Sequence, residues 1–153
     1  MIQDSENVAR AIFSPSMIVC GLIQPEAFRL RSTFNEEYIS VARMSVACWE
    51  NDLWHIPQRK NRRLYGYARM NTGSVRRISL VGVEYDIRDC SEYSSPSHAG
   101  IYITVNGEPL IGGKQVNGIE PGVAQDFMLL AIQRELVDIA QQGLVEIADN
   151  SNR

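Results

Sequence analysis

Apolar positions fall into short runs over most of this chain and into one long helical stripe near its end. Val8-Ala9-Arg10-Ala11-Ile12-Phe13 and Met17-Ile18-Val19-Cys20-Gly21-Leu22-Ile23 read as extended segments, parted by a turn at Ser14-Pro15-Ser16 and closed by Pro25. The β-branched run Tyr38-Ile39-Ser40-Val41-Ala42-Arg43 predicts another strand, and Met44 to Leu53 a short helix after it. Between Val75 and Arg88 both alternating faces carry apolar residues, which predicts a central strand or one that bends at Gly82. Ile101-Tyr102-Ile103-Thr104-Val105 runs into Asn106-Gly107 and returns through Glu108-Pro109-Leu110-Ile111. Asn-Gly supplies the positive φ angles of a type I′ hairpin, and Pro109 keeps the returning strand short or at an edge.

The long stripe predicts a helix over roughly 122–142. Pro121 suits its first turn and Gly143 its C′ position, while Met128, Leu129, Ile132, Leu136, Ile139 and Ala140 recur at spacings of three and four. A second stripe, Val123, Phe127, Leu130 and Val137, makes another flank more apolar than a solvated helix requires. That flank is expected to be covered, either by another part of the chain or by a second copy in a homodimer built through Phe127, Leu130 and Val137. These elements predict a single α+β domain over 1–153, with a curved, mainly antiparallel sheet, the long helix packed across it and a frayed tail at 149–153.

At 153 residues, 44% hydrophobic and 22% charged, with no apolar run near the ~18 residues that span a bilayer, the chain reads as soluble. Its acidic N-terminus is the reverse of a secretory leader. Cys20, Cys48 and Cys90 are scattered and odd in number, which points to a reducing cytoplasm, and without a spanning apolar run no membrane is expected. The net charge of −3 hides an acid-free stretch between Asp52 and Glu84 that holds Arg59, Lys60, Arg62, Arg63, Arg69, Arg76 and Arg77. Basic side chains beside Trp54, Tyr65 and Tyr67 suit nucleic acid, the cations on phosphates and the rings on bases. The candidates are Arg59, Lys60, Arg62, Arg63, Tyr65 and Tyr67; the plainer alternative is a solvated hairpin balancing an acidic remainder.

Of the two histidines, His98 has the more suggestive setting: Tyr93-Ser94-Ser95-Pro96-Ser97-His98-Ala99-Gly100 is a polar turn feeding a strand. Imidazole beside hydroxyls suits holding a substrate or moving a proton. Cys48, His55, Cys90 and His98 match no zinc-site spacing, so no metal is expected and no cofactor is implied. The chain has no Gly-x-Ser-x-Gly elbow, and Gly112-Gly113-Lys114 lacks the earlier glycine and the following Ser or Thr of a phosphate loop. Isolated candidates without a constellation favour a binding or interaction module over an enzyme.

Arg10 in a first strand, Tyr38-Ile39-Ser40 in a later one and Glu50 beyond them resemble the layout of NAD-consuming toxins of the RES type, relatives in chemistry of ADP-ribosyltransferases. The Gly-Arg-Trp segment that precedes the tyrosine in that family is not present. The resemblance implies a nicotinamide nucleotide cleft, with Arg10 on phosphate or ribose, Tyr38 and Ser40 lining it and Glu50 near the scissile bond. Gly21-Leu22-Ile23-Gln24-Pro25-Glu26-Ala27-Phe28, Tyr38–Arg43 and His98-Ala99 also resemble a set of small bacterial proteins of unknown role. That likeness implies a bacterial origin and no activity.

Overall fold

The computed structural model describes residues 1–31, 34–59, 63–112 and 119–147, with the backbone alone at 56–59. Its strands are β1 (Asn7–Ile12), β2 (Ile18–Val19), β3 (Leu22–Ile23), β4 (Ile39–Arg43), β5 (Gly66–Asn71), β6 (Val83–Asp89), β7 (His98–Val105), β8 (Glu108–Pro109) and β9 (Leu144–Glu146). The helices are α1 (Trp49–Arg59), α2 (Thr72–Arg76) and α3 (Val123–Gln142), with a 3-10 turn at Pro25–Phe28. The main sheet runs β6-β7-β4-β1-β5-β9, every pairing antiparallel, with β8 folded back on β7. This is the α+β architecture that the hydrophobic pattern predicts. Among the described residues no helix is long and apolar enough to cross a membrane.

Strand alternation divides the sheet into two unlike faces. Val8, Ile12, Ile39, Val41, Ile101, Ile103, Tyr85 and Ile87 are buried on one face. Against it lies α3, whose Ile132, Leu136 and Ala140 are buried and whose Ile132 carbonyl accepts a hydrogen bond of 2.8 Å from the Tyr85 hydroxyl. On the other face α1 packs on β4 and β1, with Trp49 edge-on to Tyr67 at 5.3 Å between ring centroids. β1, between α3 and α1, is buried along nearly its whole length, whereas the outward residues of β6 and β7 remain partly or fully exposed except Gly100, which is covered by Tyr38.

Several elements depart from the sequence pattern. The run Met17–Ile23 is a tight hairpin, because Cys20 and Gly21 take φ of 51° and 77° and pair Val19 with Leu22. The helix after β4 begins at Trp49 and continues through Pro57 to Arg59. The expected strand from Val75 starts only at Val83: Asn71 caps α2 by accepting from the Ser74 N–H at 2.9 Å, and Gly82 turns at φ 77°. β6 is therefore an edge strand rather than a central one. Asn106 and Gly107 have φ of 50° and 84°, as the type I′ hairpin requires. Gly143, expected as a left-handed cap, has φ −109°; its lack of a side chain matters because a Cβ would lie 2.0 Å from the Arg69 carbonyl oxygen. The frayed tail expected at 149–153 lies outside the described residues.

Candidate functional site

The outward face of β4 and β7 gathers most of the chemistry in this chain. Register sets Ser40 opposite Gly100 and Ala42 opposite His98, so Tyr38, Ser40, His98 and Tyr102 share one side of the sheet. His98 Nε2 lies 3.2 Å from Ser40 Oγ. The Tyr38 ring stands 5.6 Å from the imidazole and 5.2 Å from the Tyr102 ring, both tilted. Gly100 is what lets Tyr38 settle: a Cβ there would come within 2.5 Å of Tyr38 Cδ2, so the ring rests on bare β7 backbone. Cys90 Sγ is 3.2 Å from the Tyr102 hydroxyl, and the Arg88 guanidinium sits 4.7 Å from the Tyr102 ring centroid.

α1 supplies one wall. Asp52 in its first turn accepts hydrogen bonds from Ser97 N–H (3.0 Å) and from the buried Ser97 hydroxyl, which ties the helix to the start of β7. Ser40, Asp52, Glu92, Ser95, Ser97 and His98 line a recess of about 210 Å³. Burial pushes the Tyr38 phenol above its ordinary value, and Cys90, Glu92 and Glu37 push the same way; burial and Cys90 do likewise at Tyr102. Both phenols stay protonated and available as donors in acid-rich surroundings. A larger recess of about 450 Å³ between the 3-10 turn and α3 has walls such as Phe28, Leu30 and Leu129. On its rim Glu26 and Arg29 pair with each other at 3.6 Å.

The residues singled out by sequence are brought together only in part. Tyr38 and Ser40 join His98. Arg10 points to the α3 face, where Nε donates to the Ala27 carbonyl (2.8 Å) and Nη1 to the Ser40 carbonyl (2.9 Å). Burial lowers its pKa to about 10. Glu50 lies exposed on α1, across the sheet from Arg10, so the four residues do not converge on one cleft. In the basic segment the Arg59 side chain, Lys60 and Arg62 lie outside the described residues. Arg63 stacks over Tyr65 at 4.5 Å, and Tyr67 is engaged by Trp49. Arg76 is spent inside the molecule on Asp4, Asp86 and two carbonyls.

Phe127 is exposed on α3, with Leu130 and Val137 half-buried beside it. Asp52 and Tyr102 were not anticipated, whereas Ser97 figures in the sequence only as a hydroxyl beside His98 and Cys90 only in a zinc set that matches no spacing. Tyr102 had a signal, since His98 and Tyr102 share a face of one strand by period two; Asp52 had none, because a distant helix brings it in. Cys48 approaches Asp52 at 3.9 Å, and His55 is exposed on α1. Among the described residues no three His, Cys, Asp or Glu side chains are grouped to hold a metal. In comparisons with protein-family models, curated proteins and solved structures, nothing matches this chain.

Proposed function

We propose that this chain is a binding module whose site is the outward face of β4 and β7, and that its ligand is a neutral, ring-shaped polyol such as a sugar. The observation that carries this reading is the Tyr38 ring laid on Gly100 between His98 and Tyr102, with His98 also lining the recess that holds Asp52 and Glu92. A flat aromatic surface takes the apolar face of a sugar, and the carboxylates, phenols and imidazole suit hydroxyls that both donate and accept. Glu37 and Glu92 disfavour a phosphate there. Binding is favoured over turnover because Asp52, the carboxylate that α1 brings into the recess of the His98–Ser40 pair, is bonded to Ser97. Three free thiols suit a reducing, cytoplasmic setting.

Isothermal titration against mono- and disaccharides, nucleotides and single-stranded oligonucleotides tests the reading. We expect a saccharide to bind and Tyr38→Ala to weaken it by roughly tenfold or more, the size of one lost stacking contact. Absence of saccharide binding, or binding indifferent to Tyr38→Ala, overturns it. Oligonucleotide binding that falls with salt and with Arg62→Ala and Arg63→Ala would instead make the basic segment the functional surface. A second reading, homodimer formation through α3, is favoured by the 70% and 67% exposure of Val123 and Phe127 on the side away from the sheet.

A further inference from the structure

We infer that two copies of this chain pair antiparallel along the outward side of α3, with Leu130 at the two-fold axis; this rests on the self-association reading and adds its register. Val123, Phe127, Leu130, Arg134 and Val137 follow spacings of four and three and form one stripe centred opposite the buried Ile132, with Val123, Phe127 and Arg134 exposed and Leu130 and Val137 half-buried on the flank nearer the recess beside the 3-10 turn. With Leu130 on the axis, Val123 of each copy lies beside Val137 of the other, an isologous contact that closes after two subunits.

Charge selects the direction. Asp126 and Arg134 are exposed and form no ion pair among the described residues. The antiparallel register sets Asp126 of one copy against Arg134 of the other, twice. It also carries Asp138 to the second copy's helix start at Gly122, which has no side-chain cap. A parallel pair in register would oppose Asp126 to Asp126, Arg134 to Arg134 and Asp138 to Asp138. Facing like charges disfavour that arrangement.

Sedimentation equilibrium on the full chain tests this with surface substitutions that leave the core untouched. We expect a wild-type dimer, a monomer for Phe127→Glu, and dimerisation weakened roughly tenfold by Asp126→Arg or by Arg134→Asp alone. Mixing those two single variants, or combining them in one chain, restores opposite charges at both contacts and should restore the dimer. A wild-type monomer at high concentration, or a dimer indifferent to Phe127→Glu, removes self-association through α3 altogether. A dimer lost with Phe127→Glu but not rescued by the charge exchange keeps that surface and overturns the antiparallel register.

Discussion

Arg10 is a cation in a place built for aliphatic side chains, held because its planar fork reaches two backbone carbonyls, that of Ala27 in the 3-10 turn and that of Ser40 in β4. Its lowered pKa reflects burial first; Glu36 offsets this in part, and Arg31 adds to it. Removing the side chain strands both acceptors. Arg10→Ala should therefore cost about 2–4 kcal/mol in urea denaturation, and Arg10→Lys should fail to rescue, since an ammonium cannot span both partners. A loss below about 0.5 kcal/mol would show that water replaces the guanidinium. Across the sheet the critical residue has no side chain. Gly100→Ala should lift Tyr38 off β7, destabilise the fold by about 1–3 kcal/mol and abolish the binding that depends on that ring. Unchanged stability with intact ligand affinity would contradict the seating described.

At the scale of elements, β6 shows how an exposed edge is kept from pairing with other chains. The Ile87 carbonyl accepts from Arg76 Nη2 at 2.9 Å, the Ile87 N–H donates to Asp86 Oδ1 at 2.8 Å, and the Val83 N–H is taken by Leu80. The Arg76 and Asp86 side chains and the Leu80 carbonyl occupy groups that an incoming strand would otherwise use. Arg76→Ala should lower stability by about 1–2 kcal/mol, because its acidic partners are partly exposed, and should raise aggregation on mild heating seen by light scattering. The variant aggregating no faster than wild type would show the edge to be protected by other means. Asn71→Ala, which uncaps α2, should cost about 1 kcal/mol without that increase.

For the whole molecule, acid stability follows from three carboxylates held below their ordinary range. At Glu36 burial pushes the pKa up but is outweighed by hydrogen bonds from Arg31; at Asp86 burial is outweighed by Arg76, Arg88 and the Ile87 N–H. At Asp89 the Ser91 N–H leads. A carboxylate whose folded pKa is depressed stabilises fully above its unfolded value, 4.5 for Glu36 and 3.8 for the aspartates, and loses that contribution as pH falls through the folded value. Melting temperature should therefore decline below about pH 4.5 and keep declining below 3.8, more shallowly in Asp86→Asn. An acid profile identical in that variant would detach Asp86 from the effect.

Local chemistry determined what could be read before folding. The 3.6-residue stripe of α3, the Asn106–Gly107 turn and the β-branched runs of β1 and β4 are properties of neighbours in sequence, and each formed near its expected bounds. Tertiary contact decided the rest. β5 and β9 have weak patterns of their own and exist because β1 and β5 offer them unpaired edges. Residues 75–82 alternate like a strand but are drawn into α2 and a turn by the Asn71 cap. The site divides the same way. His98 among hydroxyls was visible in the sequence, and so were Tyr38 and Ser40 two residues apart. That they meet, that Asp52 arrives from α1 and that Arg10 turns to the opposite face follow from strand register and side-chain alternation, which fix a side only once the pairing partner is known.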